Sequence, residues 1–335
     1  MTQNHSEKSG GNTLWLIVIM ATAAALLSFA GCVALLPALL LGALTAPLTA
    51  AVLRQLTLGK QLLLLLGLSA VSLLLCPSTA IALLYIFVWY GGAFLSVTVA
   101  KFTPDLFYIM LYGGFGFLVL TALGMAVVIK EQSGVWDLMS IYTTIENALL
   151  TSLDTMETTY KELLGEQFNT LQPLLQTLRN NAEAFVYQIL SLFVTLLLGL
   201  YLFTIKVGQW ISRRLSKPIE VMPLIFYAVP REITFCYLII CVISLFVASD
   251  TYIYALDIAD TLMSWLFVLA GIGFVEAFTV KKFSLFWRRF LKIALVVGAF
   301  ISDNFSMGIV FMLLSVAGMF VSMTRRIIIF KGNEK

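Results

Sequence analysis

One carboxylate stands where chemistry inside a membrane would need it. In LFVLAGIGFVEAFTVKK, residues 266–282, Glu276 interrupts an apolar run that ends on Lys281 and Lys282. An acid at the centre of a membrane helix costs roughly 2.5–3.5 kcal/mol on insertion scales, so such a residue is a functional candidate by default. Depth decides between the two readings. Glu276 precedes Lys281 by little more than one helical turn, roughly 7 Å by the helical rise, and can reach headgroup water or pair with Lys281 or Lys282. The spacing favours an anchor at the membrane edge over a working carboxylate in its middle.

A second set of acids lies at the other end of the same apolar region. Asp250, Asp257 and Asp260 cluster there, and Asp303 and Asn304 occupy the turn between the last two apolar runs. If the two sets meet in space they form an acidic mouth suited to a cation or a polar solute. Asp257, Asp260 and Asp303 are then its contacts, and Trp89 and Tyr90 its aromatic walls. If they do not meet, they are ordinary loop acids.

Other chemistries find no residues to carry them. His5, in a polar leading segment, is the only histidine. Cys32, Cys76, Cys236 and Cys241 form no CxxC pair and lie in or beside apolar runs, so neither a zinc site nor a disulfide framework is indicated. No nucleophile elbow and no HExxH occurs. YGGAF at 90–94 and YGGFGF at 112–117 lack the Lys-Ser/Thr of a phosphate loop and follow no strand. The expectation is a protein that is not an enzyme and takes no cofactor, metal or nucleic acid.

The elements that must hold the acids are apolar helices. Hydrophobic residues make up 60% of the 335 and charged ones 12%, against about 25% charged in soluble domains, and mean hydropathy is +0.97. A soluble chain of this size could not bury so much apolar surface. Roughly 20 apolar residues cross a bilayer as a helix. That length predicts spans near 14–31, 33–53, 61–76, 78–100, 106–129, 185–206, 233–249, 258–280, 288–302 and 305–324. The fold class is therefore an all-α polytopic transmembrane bundle of about ten spans, in a range of eight to ten.

Basic residues orient the spans, because cytoplasmic loops are enriched in Lys and Arg. With the N-terminus inside, ten crossings put Arg54, Lys60, Lys101, Arg213, Arg214, Lys217, Lys281, Lys282, Arg288, Arg289, Arg325 and Arg326 on one side. Only Lys130, Lys161 and Arg179 fall outside. Both termini are then cytoplasmic. The run ending Phe29-Ala30-Gly31-Cys32 has the look of a lipoprotein cleavage site. Lys8 beside Glu7 gives no positive leader, however, and the chain after Cys32 continues as another apolar span.

Three regions follow: an N-terminal bundle at 1–130, an extracytoplasmic helical segment at 131–184 and a C-terminal bundle at 185–335. The middle region is acidic. Ile141, Ile145, Leu149, Met156, Tyr160 and Leu163 recur at helical steps within it, and Pro173 suits a helix start or break. Two amphipathic helices are expected, either packing on the bundle or receiving an extracytoplasmic protein. Small residues four apart let helices approach closely. Gly92, Ser96 and Ala100 form one such stripe, and Ala21 with Ala25 a shorter one that would suit docking by another membrane subunit.

The second half carries a resemblance. LYLFTIKVGQWISRRLSKP followed by YAVPREITF, then AGIGFVEAF and KKFSLFWRRFLKIAL, is similar to the YybS-like family of bacterial membrane proteins, which has no assigned activity. The terminal run with Asp303 near its turn and the closing Arg325–Arg326 pair also resembles that family, over roughly residues 185–330. The resemblance implies a place in the bacterial inner membrane. It also implies kinship with substrate-binding subunits of energy-coupling-factor transporters, whose alanine-rich first helix docks a coupling subunit. Glu276 is not part of the family pattern. The functional expectation is a transporter or solute-binding membrane subunit for a small polar solute. The alternative is a non-catalytic scaffold that recruits a partner through residues 131–184. A lipid-processing enzyme, the third possibility, lacks any motif.

Overall fold

The computed structural model describes residues 15–28, 35–76, 78–134, 139–244, 250–279, 282–304 and 308–332. The described residues are helical and contain no strand. We number the helices α1 (Trp15–Ser28), α2 (Leu35–Gln55), α3 (Leu58–Leu75) and α4 (Thr79–Phe102). Next comes α5, which starts at Leu106 and ends in the stretch Phe115–Ser133. The chain goes on with α6 (Met139–Leu164), α7 (Gln172–Asn180) and α8 (Ala182–Ser212). It closes with α9 (Arg231–Ser244), α10 (Asp250–Thr279), α11 (Leu285–Asn304) and α12 (Ile309–Gly332). The described part of each apolar run predicted as a span lies largely on one of these helices. Among the described residues, five stretches are long and apolar enough to cross a membrane: Leu58–Leu75, Thr79–Phe102, Leu106–Glu131, Ile189–Ser212 and Asp260–Thr279.

Two of these spans contain a turn wider than an α-helix. Ile86–Gly91 in α4 and Ile109–Gly114 in α5 are π-helical. Both Tyr-Gly-Gly triplets, Tyr90-Gly91-Gly92 and Tyr112-Gly113-Gly114, lie at the ends of these turns. An inserted residue costs regular hydrogen bonding and persists where packing demands it.

Contacts divide the chain into two units, each discontinuous in sequence. Unit 1 is Met1–Thr98 with Gly114–Ile219, and unit 2 is Val99–Gly113 with Glu220–Lys335. The region boundaries expected at 130/131 and 184/185 both fall within unit 1.

Unit 1 is built on α2 lying against α8. Gly208 sits on the Pro47 carbonyl, where an added Cβ would stand 3.3 Å from the oxygen. The ends of these helices are tied together: Gln55 donates to the Lys217 carbonyl at 2.7 Å and accepts from the Lys217 amide at 2.9 Å. Arg54 donates to the Pro218 carbonyl at 3.1 Å. At the opposite end of α4, Glu131 accepts from the Ser78 hydroxyl at 3.2 Å and the Ala80 amide at 3.1 Å. A carboxylate there satisfies first-turn N–H groups and meets the positive end of the helix dipole.

Between α5 and α8 lie α6 and α7, with Pro173 in the first turn of α7. Arg179 of α7 pairs with Asp154 and Glu157 of α6. Arg179 and Asp154 are exposed and Glu157 half-buried, so Arg179→Ala should cost less than about 1 kcal/mol, read as a nearly unchanged thermal midpoint of the purified protein.

Unit 2 centres on α10 and α12, which cross through glycines. A Cβ built on Gly271 would overlap the Leu314 carbonyl, and one on Gly318 would overlap the Phe267 carbonyl. Val268, Ile272, Ala299 and Leu314 form the buried cluster beside this crossing, flanked by Trp265, Leu295 and Phe311. Gly273 likewise lies on the Leu224 carbonyl of the short 3₁₀ turn Leu224–Phe226. The linker from that turn is pinned where the Val229 amide donates to Ser322 Oγ at 3.1 Å. Tyr227, fully buried beside it, has its phenol held well above the ordinary value, first by burial and then by the charge of Asp105.

Candidate functional site

Helix α9 brings Tyr237 and Cys241 to one face, four residues apart, and α10 brings Asp260 and Ser264 to a facing one with the same spacing. The two faces meet. The Tyr237 hydroxyl donates to Asp260 Oδ1 at 2.5 Å and lies 3.0 Å from Ser264 Oγ. A phenol has one proton, and a carboxylate can only accept. The Tyr237 proton therefore goes to Asp260, and Ser264 donates to Tyr237. The Cys241 thiol lies 4.0 Å from the same carboxylate oxygen, a weaker and longer contact.

Tyr237 and Ser264 are buried, whereas Asp260 is exposed. Phe267 packs on the Tyr237 ring with centroids 5.1 Å apart. The arrangement holds one carboxylate oxygen with a short charge-assisted bond. Oδ2 makes no hydrogen bond among the described residues, and the Asp260 side chain is open to solvent. Such an oxygen can accept from a donor-bearing solute or face a cation. Of the other acids expected here, the side chains of Asp257 and Asp303 lie outside the described residues.

Trp89 and Tyr90, expected as aromatic walls, belong to unit 1 and are buried at 3% and 1% exposure. Trp89 fills the space above Gly42 of α2, where a Cβ would collide with the indole. Tyr90 reaches Ser72 Oγ of α3 at 3.2 Å. Both rings are thus occupied in helix packing. Gly92 lies under the Phe117 ring, with an added Cβ only 2.8 Å away, and Phe117 stacks on Tyr201 at 5.6 Å. The Ser96 hydroxyl donates to the Ala93 carbonyl at 2.8 Å and is buried. Ala21 and Ala25 of α1 are partly buried, beside the fully buried Met20, Ala24, Leu27 and Ser28.

Glu276 accepts from Lys292 of α11 at 2.8 Å, and Lys281, a partner its spacing suggests, lies outside the described residues. The contact is tertiary: α11 packs back along α10 and points Lys292 at the carboxylate. Glu276 is 15% exposed and Lys292 35%. Glu276 Oε2 is buried and has no hydrogen-bond partner among the described residues. Asp260 and Glu276 are sixteen residues apart on α10, roughly 24 Å along the axis, so they mark opposite ends of one span.

The fold and these sites define an all-helical protein whose apolar helices are compatible with a membrane. Compared with known protein families, curated proteins and solved structures, the chain matches none. The resemblance to the YybS-like family rests on the quoted residues alone.

Proposed function

We propose that this chain is a multi-pass transporter, or the solute-binding membrane subunit of one, for a small polar solute. It crosses the bacterial inner membrane about ten times with both termini cytoplasmic. The basic clusters, which all fall on one side under that topology, support the orientation. The reading is carried by the Tyr237–Asp260–Ser264 cluster. Three polar side chains converge there where the apolar stretch Asp260–Thr279 begins, and one carboxylate oxygen stays open. Polar groups in such a place are costly unless they bind something or one another.

The test is purification of the intact protein from native membranes in mild detergent, with mass spectrometry of retained small molecules and co-purifying proteins. Wild type should retain a polar solute, and Asp260→Asn should deplete it by about ten-fold, the worth of one charge-assisted hydrogen bond. Tyr237→Phe should fall between the two. A preparation without solute, unchanged by Asp260→Asn, would sink the transporter reading.

A second reading has its own observation. Leu163 and Leu174, on α6 and α7, are 73% and 59% exposed, and exposed apolar surface marks contact sites. A scaffold would use this surface to hold an extracytoplasmic protein. It would lose that partner on deletion of 139–180 and be indifferent to Asp260.

A further inference from the structure

Where α8 ends, α1 lies beside it, and the two frame a cavity of about 420 Å³ lined by Trp15, Leu16, Trp210, Ile211, Arg214 and Leu215. All six belong to unit 1. The walls are aromatic and open: Trp15 is 68% exposed and Trp210 58%. Arg214 lays its guanidinium over the Trp210 ring, 4.9 Å from the centroid. A cation over an indole ring is held without using its N–H donors, and a guanidinium carries five of them. Arg214 belongs to none of the ion pairs among the described residues. Arg213 and Lys217 are exposed on the same helix end. Behind this basic mouth, α1 presents Val18 and Ile19, each 49% exposed, and Leu26 at 53%.

A helix C-terminus favours cations in general. That accounts for basic residues after α8 but not for the cavity or for two exposed indoles facing it. Phosphate accounts for all of them together. A guanidinium fork binds phosphate oxygens bidentately, indoles settle at headgroup depth, and the apolar strip of α1 suits an acyl chain. We propose that this cavity binds a single anionic phospholipid, its phosphate on Arg214 between Trp15 and Trp210 and one chain along α1. This site is independent of solute binding at Asp260. The site would let the charge of the surrounding lipid steady the contact between the first helix and α8.

The test is titration of the delipidated full chain in detergent with phosphatidylglycerol or phosphatidylcholine, followed by native mass spectrometry. Wild type should take up one phosphatidylglycerol at about ten-fold lower concentration than phosphatidylcholine, and Arg214→Gln should erase that preference. Arg289→Gln removes an exposed basic residue of unit 2 and should leave it intact. Equal loss in both variants would mean diffuse attraction of anionic lipid to a basic protein and would overturn the site. So would an unchanged preference in Arg214→Gln, or none in wild type. Should Arg214→Gln fail to fold, Trp210→Leu keeps the helix apolar and must still weaken phosphatidylglycerol uptake at least about three-fold. Unchanged uptake in that variant also overturns the proposal.

Discussion

Gly318→Ala is expected to destabilise the purified protein by about 3 kcal/mol, at the upper end of what overpacking costs. One methyl group has this effect because of what faces it. The Cβ would overlap the Phe267 carbonyl and crowd the Gly271 amide, 2.9 Å away. Both are backbone, and neither can swing aside as a side chain would. The opposing surface is equally committed, since a Cβ on Gly271 meets the Leu314 carbonyl. Helices α10 and α12 must therefore separate, and Val268, Ile272 and Leu314 beside the crossing lose their close packing. Membrane helices associate largely through such packing, because lipid is as apolar as their side chains. The measurement is the thermal or denaturant midpoint in a fixed detergent, with Gly67→Ala as control. Gly67 has no atom within 4 Å of an added Cβ, so its replacement should leave stability unchanged or raise it by up to about 1 kcal/mol, the helix preference for alanine. Equal stability of the two variants would mean that the glycine crossing is not the contact that holds unit 2.

This crossing was only partly legible in the sequence. Hydropathy and length located the helices because lipid exposure demands uninterrupted apolar runs, a local property. AGIGF entered only as part of the resemblance to the YybS-like family. Gly318 did not, because its meaning comes from Gly271, forty-seven residues away. The Tyr-Gly-Gly triplets were visible as small-residue patches, but the π turns they end were not, since no residue type signals an inserted backbone position. Trp89 shows the opposite failure. An aromatic ring in a span suits a binding wall and a helix contact equally well, and the glycine that receives it, Gly42, lies on another helix. The Asp260 cluster had a readable half: Tyr237 with Cys241 and Asp260 with Ser264 each repeat at four residues, the mark of a polar helical face. That the two faces meet is a fact of tertiary structure alone.

Glu276 carries the same lesson into energetics. Sequence distance offers Lys281 and Lys282, and the fold adds Lys292 at 2.8 Å. Lys292→Met is expected to cost about 2–3 kcal/mol. Removing one member of a fully buried pair costs about 3–5 kcal/mol, and the figure is lowered here because Lys292 is 35% exposed. The penalty comes from the carboxylate left behind, whose Oε2 is already buried without a partner among the described residues. Glu276→Gln should cost less, about 1 kcal/mol, because the stranded lysine can turn its long side chain toward water. Combining the two substitutions removes both charges and should bring stability to within about 1 kcal/mol of wild type, since buried pairs are often replaceable by uncharged side chains. A double-mutant cycle on denaturant midpoints in one detergent reads the coupling directly. Strictly additive losses would mean that the two charges do not meet. Strong coupling with solute retention unchanged in the double variant would make the pair a clamp between α10 and α11. Strong coupling with retention lost would instead tie the C-terminal end of α10 to the cluster at Asp260, and make the helix itself the element that both ends control.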